Sequence, residues 1–554
     1  MTMNQLYYGN NLEVFENQLA DESIDLCYID PPFNSKRDYN QIYNNIGADD
    51  KAQVQAFEDT WEWDDEAIEG LKRFDLVNGE KKYPEKTKLL INSFEKVLGQ
   101  GSMLAYIISI SQRIIEIHRV LKPTGSFYLH CDPTASHYLK LILDSVFCTK
   151  GGDFQNEITW KRYAVHSLSS KRFDAINDTI FFYIKTKGKS TFNRQFEVLT
   201  DKELKKRFPH LEEETGRYYQ HASLEKNANK SSRNQKRIIQ GKEVSTELGW
   251  VWAQKTFDER LKENSNLIYW TSEGRPRYKI YLDEYLGKPI GSNWSDIPYL
   301  SAGDAERLGY PTQKPERLLE RIILASSNEG DVVLDAYCGC GTTVAVAQRL
   351  KRQWIEIDVT FQSISLIMKR LTESYGKKIL NDVEIAGIPR DIESAKHLAH
   401  KSQSRKEFEI WAIMTYSNNK AIPNEKRGAD KGIDGKMYIT ASISPREDKQ
   451  VIFSVKSGHV SVSQIRDFVG TIEREKDAVA GVFITLEEPT KPMQKEAKAA
   501  GTYLNPFTGK PIDRITIVTI EQIIKGERED FPNVVSLLNE AERKVENNQG
   551  EMDF

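Results

Sequence analysis

The 554-residue chain has little cysteine, little histidine and no long apolar run. Its five cysteines, Cys27, Cys131, Cys148, Cys338 and Cys340, are too few and too unevenly spaced for a disulfide framework. Cys338 and Cys340 share a glycine-rich stretch without a second cysteine pair or a histidine nearby, which argues against a metal site there. His130, Asp132 and His137 are close in sequence, but no further Cys or His completes a ligand set, so no metal is assigned to them either. No stretch has the length of a membrane span, and no basic segment leads into an apolar one at the N-terminus, so the expected location is the cytoplasm. A large charge of one sign is also missing, since 77 Lys+Arg stand against 81 Asp+Glu for a net charge of −4. That excludes nonspecific coating of nucleic acid and confines any DNA contact to a local basic patch.

What remains is a globular composition, 39% apolar and 29% charged, long enough for about three or four domains. The most informative stretch is Ile29-Asp30-Pro31-Pro32-Phe33. It ends an apolar segment, Ile24 to Ile29, that alternates little and reads as a buried parallel strand. A carboxylate at the carboxyl end of a strand, two residues of fixed φ and then an aromatic ring make a rigid acceptor pair beside a stacking surface. An exocyclic amine on a nucleobase is a poor nucleophile because its lone pair is delocalised into the ring. The Asp30 carboxylate and the Pro31 carbonyl are placed to hold both of its N–H bonds and favour a pyramidal nitrogen. Phe33 is placed to stack on a base turned out of the duplex, a contact worth about 1–3 kcal/mol.

Other segments give the chain an α/β rhythm. Leu6 to Leu12 reads as a strand entering a glycine turn at Gly9-Asn10, with a helix from Leu12 to Leu19. Asn34 to Asp65 is too long for an ordinary connection and is a candidate lid or DNA-contacting loop. Apolar residues at helical spacing run from Leu89 to Leu121 and stop at the turn Lys122-Pro123-Thr124-Gly125. Ser126 to Asp132 is an expected strand and His137 to Phe147 an expected helix. Near the other end, Asp331 to Asp335 reads as a buried strand, Ala336-Tyr337-Cys338-Gly339-Cys340-Gly341 as a glycine loop and Thr342 to Leu350 as a helix. Small loop residues admit a ligand to the backbone, and the helix start offers its N–H groups. Asp358, ending the next strand, is placed to accept hydrogen bonds from ribose hydroxyls. Between these halves the pattern is lost. Lys226 to Lys242 holds six basic residues and no acidic one, with Trp250, Trp252, Tyr269 and Trp270 following, a mixture suited to DNA recognition. Lys226, Lys230, Arg233, Lys236 and Arg237 are the candidate contacts.

Asp30-Pro31-Pro32-Phe33 resembles the catalytic motif of amino-group DNA methyltransferases, and the run Ile29 to Asn40 resembles an adenine-specific group within them. Asp335 to Thr342 resembles their cofactor motif, although relatives usually have Pro and Phe where Ala336 and Tyr337 stand here. Gln313-Lys314-Pro315 resembles the segment bordering the methionine end of the cofactor. Asn10 stands where relatives often carry Asp beside the cofactor's adenine, and the Leu129 to Pro133 segment matches a strand end bordering the target-base pocket. The order, catalytic motif first and glycine loop last, is the permuted one called the β class. The resemblance implies a Rossmann-like fold, S-adenosylmethionine as methyl donor, N6-methyladenine as product and double-stranded DNA as partner. Many members of the class dimerise, which makes a homodimer a candidate assembly. It also implies contacts from Asn10, Gln313, Lys314, Asp335, Tyr337, Gly339, Gly341, Thr342 and Asp358 to the cofactor.

A second, smaller α/β domain follows. Gly428 to Gly435 and Phe453-Ser454-Val455-Lys456 resemble Mrr-type restriction endonuclease domains of the PD-(D/E)xK class. The resemblance implies Mg²⁺ held at Asp434, with Lys456 to position water and Glu409 as accessory ligand. Ser454 departs from it, standing where relatives carry Glu or Gln, and a hydroxyl is a weak Mg²⁺ ligand. The expected boundaries are a catalytic half at 1–194, a recognition region at 195–300, a cofactor half at 301–390, a linker at 391–405, the nuclease-like domain at 406–530 and a tail at 531–554 with a short helix. The alternatives are cytosine-N4 methylation, a combined restriction and modification enzyme with Mg²⁺-dependent cleavage, and a non-catalytic DNA-binding protein.

Overall fold

The computed structural model describes residues 4–32, 38–42, 53–58, 61–162, 171, 173–227, 235–301, 303–308, 310, 312–400, 405–424, 432–443, 446–529, 531 and 534. The chain forms two compact units, one from Met1–Asn193 with Ser292–Phe554 and the other from Arg194–Gly291.

The main sheet of the first unit runs, edge to edge, through Asn293–Trp294, Asp153–Lys161, Asn177–Ile184, Leu121–Cys131, Ile24–Ile29, Val332–Asp335, Gln353–Asp358, Asn4–Tyr8 and Val383–Ala386. From Leu121–Cys131 to Val383–Ala386 all neighbours are parallel. Asn177–Ile184 runs antiparallel to both of its neighbours. Parallel strands need cover on both faces, and the sequence supplies it: Ile24, Leu26, Cys27 and Ile29 are fully buried. Helix Ser102–Val120 is buried nearly all round, with Leu104, Ile107, Ile110, Ile114 and Ile117 in the core and Gln112, Arg113, Glu116 and His118 buried beside them. At the centre, Leu26 lies opposite Val333, so strands from opposite halves of the chain are neighbours. The crevice beyond the carboxyl ends of two such strands is where open α/β sheets bind ligands. Asp30 and Asp335 both stand there.

Several local expectations are corrected. The apolar periodicity from Leu89 to Leu121 belongs to two helices, Glu85–Leu98 and Ser102–Val120, separated at Gly99, whose φ of 72° ends the first. Lys122 to Gly125 falls near the start of the strand Leu121–Cys131, where the parallel pairing steps from Leu121 opposite Ile24 to Ser126 opposite Leu26, so these residues form an irregularity that the ladder skips. The Asn34 to Asp65 loop contains an antiparallel pair, Asp38–Ile42 with Gln53–Glu58. The expected tail beyond Phe531 lies almost wholly outside the described residues.

Towards the C-terminus a sheet of Ile422–Pro423, Gly435–Ile443, Arg446–Lys456, Ala478–Thr485 and Ile515–Thr519 is antiparallel on one side and parallel on the other. Helix Val462–Arg474 packs Ile465, Phe468 and Ile472 against Ile452 and Phe483. Gly481 is required at that contact, since a Cβ there would come within 2.6 Å of the Phe468 ring. The Arg194–Gly291 unit has a four-stranded antiparallel sheet, Ile268–Trp270, Pro276–Tyr281, Arg217–Ser223 and His210–Glu212, and a small core of Leu224, Ile239, Trp250, Phe257 and Ile268.

Candidate active site

Asp30 leaves the sheet one residue after Ile29, and Pro31 and Pro32 fix the direction of the chain beyond it. Its Oδ2 pairs with the Lys314 ammonium. Its Oδ1 is buried and makes no hydrogen bond among the described residues. On the neighbouring strand, fully buried His130 lies with Nδ1 3.9 Å from Asp30 Oδ1. His130 Nε2 donates to Asp178 Oδ2 at 3.0 Å, which leaves Nδ1 to accept the Tyr28 hydroxyl at 2.9 Å. Arg162 approaches the same Asp178 at 3.1 Å. Burial would raise the Asp178 carboxyl, but the bonds from His130 and Arg162 outweigh it and hold the group below its usual range.

The carboxyl ends of the central strands open on a cavity of about 320 Å³. Asp30, Pro31 and Pro32 line it, and so do Asn10, Gln313, Lys314, Asp335, Tyr337, Gly339, Thr342 and Asp358. Of the residues expected at the catalytic motif, Phe33 lies outside the described residues. Gly341 stands behind the cavity, with φ 73° and space that a Cβ would share with Ile367 at 2.5 Å. Gly339, at φ 49°, would bring a Cβ to 3.2 Å from the Tyr310 ring. Both are left-handed conformations that favour glycine, and with them the loop turns back and opens the helix Thr342–Arg349 towards the cavity.

Carboxyl groups crowd this loop. Asp335 accepts the Tyr337 N–H at 3.0 Å and the Thr343 hydroxyl at 2.6 Å. Burial pushes its carboxyl up to about 7, with smaller contributions from Asp30 and Asp358. Asp358 accepts the Gly339 N–H at 2.9 Å and both the N–H and the hydroxyl of Thr360 at 2.9 Å, and burial still raises it. Glu356, on the same side of its strand, is fully buried and lacks a hydrogen bond at either oxygen among the described residues. Burial, then Asp335, pushes it well above the carboxylate range. Carboxyl acceptors at Asp30, Asp335 and Asp358 on the wall of a cavity beside a glycine loop fit a ligand rich in hydroxyl and amine donors, such as S-adenosylmethionine.

Three lining or supporting residues had no role in the sequence reading: Tyr28, Asn11 and Arg113. Asn11 donates to the Ala336 carbonyl at 2.7 Å and accepts from Arg113 Nε at 2.6 Å, while Arg113 also reaches Asn10 Oδ1 at 3.3 Å. Arg113 sits in the more polar half of its helix, with Gln112, Glu116, His118 and Arg119, so no local signal set it apart.

Elsewhere the expected groups are less open. Lys236 is paired with Glu243 at 2.6 Å, and Arg237 bonds Gln235 and the Lys236 carbonyl. Lys226 lies on the short strand Glu225–Lys226, and Lys230 and Arg233 fall outside the described residues. In the C-terminal sheet, Asp434 Oδ2 accepts the Val455 N–H at 2.7 Å and the Ser454 hydroxyl at 3.4 Å, with Lys456 Nζ at 3.8 Å. Glu409 is bound by Lys406 at 3.0 Å, and its carboxyl is raised by burial and then by Asp434. Among the described residues no three His, Cys, Asp or Glu side chains gather as a cation site. Beside the Asp434 and Glu409 carboxyls, Ser454 offers a hydroxyl, a weak Mg²⁺ ligand.

A DNA methylase family model matches residues 24–369, and a restriction endonuclease model matches residues 401–523. The type II methyltransferase M.EcaI of Enterobacter cloacae is 29% identical over 266 residues, 48% of this chain and 57% of its own length. M.HpaI of Haemophilus parainfluenzae is 24% identical over 440 residues, covering 77% of this chain and 96% of the relative. The DNA adenine methyltransferase YhdJ of Escherichia coli is 44% identical over 87 residues, 16% of this chain and 30% of its own. The match to M.EcaI thus spans little more than half of that protein. With the Asp30 motif and the glycine loop on one cavity, and a family match across well over half of its length, this chain belongs to the DNA methylase family and carries a restriction endonuclease-type domain behind it.

Proposed function

We propose that the chain methylates the N6 amine of an adenine turned out of double-stranded DNA, with S-adenosylmethionine as donor. The observation that carries this reading is Asp30 Oδ1, a buried acceptor without a hydrogen bond among the described residues, on the cavity that the glycine loop also lines. A base amine entering there meets two fixed acceptors, Oδ1 and the Pro31 carbonyl. Lys314 keeps the other carboxylate oxygen engaged, so Asp30 cannot rotate away from the incoming amine. Asn10, Asp335, Gly339, Thr342 and Asp358, which line the cavity, are the residues that would hold the cofactor, with Gly341 shaping the loop behind them. When bound, S-adenosylmethionine supplies an electrophilic methyl group on a sulfonium. The amine would take that methyl group directly, without a covalent enzyme intermediate, the broken S–CH3 bond leaving the neutral thioether S-adenosylhomocysteine, and Asp30 would be the first acceptor for the proton that the methylated nitrogen sheds. Adenine is favoured over cytosine by the leading Asp30 and by the likeness to YhdJ, whose name carries adenine specificity.

The Arg194–Gly291 unit is the candidate recognition region, and the C-terminal domain is proposed to contact DNA without cleaving it, since Ser454 leaves its cation site incomplete. The test is incubation of unmethylated DNA with labelled S-adenosylmethionine, first without metal and then with Mg²⁺, followed by nucleoside analysis and a gel. Labelled N6-methyladenine on intact DNA is expected. Labelled N4-methylcytosine would overturn the base assignment, fragmentation the non-cleaving reading, and no label the whole of it.

A further inference from the structure

Helix Arg405–Ser417 lies within the restriction endonuclease match, yet two of its acids serve different neighbours. Glu409 stands near Asp434, close enough for that charge to raise its carboxyl. Glu407 turns away from it, because two residues on a helix are about 200° apart. Its Oε2 accepts the Tyr8 hydroxyl at 2.9 Å and the Phe361 N–H at 3.4 Å. Tyr8 ends the strand that pairs with Gln353–Asp358, directly opposite Asp358. Phe361 opens the helix that follows Asp358, and its ring meets that of Tyr8 edge to face at 5.8 Å. Gly9 N–H, one residue beyond Tyr8, donates to the Asp358 carbonyl at 2.9 Å. One carboxylate from the appended domain thus ties together the two segments that carry Asn10 and Asp358 to the cavity wall.

The contact is more than surface packing. Burial pushes the Glu407 carboxyl up to about 7, with the Asp358 charge adding to the push and the bonds from Tyr8 and Phe361 opposing it. An apolar residue would fill this position without the cost of desolvating an acid. The carboxylate adds a directional link between two backbone segments, which an aliphatic side chain cannot supply.

The geometry points to Glu407 as a positioning residue that couples occupancy of the cofactor cavity to the helix bearing Glu409, so that a filled methylase site stiffens the nuclease-like site. This rests on the proposed reading of the cavity as the S-adenosylmethionine site. Coupling of this kind is reciprocal and typically about 5–150-fold. The two domains then act as one responsive body, with cofactor-loaded and cofactor-free states that differ at Asp434.

The test uses the full chain, with S-adenosylmethionine binding read by calorimetry and hydrogen exchange followed in the 405–417 segment. Saturating cofactor is expected to slow exchange in that segment at least about fivefold. Glu407→Leu should abolish the slowing even when the cofactor is saturating, while Glu407→Gln, which keeps an acceptor, should retain most of it. Tyr8→Phe removes a single oxygen from the other side of the contact, and covers the case in which Glu407→Leu fails to fold. It too should lose the slowing. Cofactor binding without protection of 405–417 in the wild type, or protection unchanged in both Glu407→Leu and Tyr8→Phe, overturns the coupling alone. No binding heat in the wild type overturns the cofactor reading and the coupling with it.

Discussion

The Lys314 ammonium closes on Asp30 Oδ2 across 284 residues of chain, joining the segment that precedes the glycine loop to the end of the central strand. Lys314 was expected beside the cofactor, and it does line the cavity, but its partner is the acidic residue of the catalytic motif. The pair keeps one oxygen occupied and leaves the other, Oδ1, buried without a hydrogen bond among the described residues. Asp30→Ala should therefore remove methyl transfer while S-adenosylmethionine binding stays near the wild-type value. Loss of both would place Asp30 in the cofactor site instead. Lys314→Met leaves the carboxylate in place but free to turn. A hydrogen bond to a charged group is worth about 1.5–3 kcal/mol, so kcat should fall roughly 10- to 100-fold. Single-turnover methylation with cofactor saturating measures it.

Tyr28 and His130 give a second prediction. The Tyr28 hydroxyl donates to His130 Nδ1 inside a fully buried cluster that ends at Asp178. Tyr28→Phe leaves Nδ1 without this donor and keeps the ring, so the loss is that of a buried acceptor, about 1–3 kcal/mol. A lowered urea midpoint with an unchanged denaturant slope is expected. An unchanged midpoint would mean that the hydroxyl contributes nothing to holding His130 behind Asp30.

These two cases also mark what could be read from the sequence. The Asp-Pro-Pro turn, the glycine loop and Asp358 were legible because strand ends and helix starts leave local signatures: fixed φ, small residues, and an acid closing an apolar run. The pairings of Lys314 with Asp30, His130 with Asp178, and Glu407 with Tyr8 were not, because each joins residues from separate elements and no local spacing encodes them. The break at Gly99 was hidden by apolar residues on both sides of it that keep the helical period. The buried role of Arg113 was obscured for the opposite reason, since a charged residue is usually read as the solvent face of a helix. It lies instead among Asn10, Asn11 and the cavity, where its guanidinium replaces water as their partner.

The C-terminal site yields a gain-of-function prediction. Asp434 already has one oxygen engaged by the Val455 N–H, and Ser454 offers only a hydroxyl at 3.4 Å. The wild type should show no Mg²⁺-dependent nicking of plasmid DNA at millimolar metal. Ser454→Glu restores a carboxylate beside Asp434 and Lys456 and should bring measurable Mg²⁺ binding by calorimetry, with nicking as the stronger outcome. Nicking by the wild type that Lys456→Ala abolishes would show that the serine is no barrier to cleavage.

The buried carboxyl of Asp335 makes a prediction about stability and pH. Its folded value of about 7 lies above the ordinary 3.8, so between about 4 and 7 the native state keeps a proton that the unfolded chain has released. Native stability from this group is greatest at low pH and falls as pH rises through that window. His118 acts in the opposite sense, because burial holds it down to about 3 and its share of stability rises with pH up to the ordinary histidine value. The net slope of the wild type thus mixes these two with the other raised carboxyls, Glu356, Asp358 and Glu407 among them, and a variant is needed to isolate Asp335. Asp335→Asn keeps the volume, can still accept the Tyr337 N–H, and can donate to a rotated Thr343 hydroxyl. Urea midpoints at pH 5 and pH 8 should show the variant gaining on the wild type as pH rises. A constant difference between the two proteins would mean that Asp335 does not change its charge across this range.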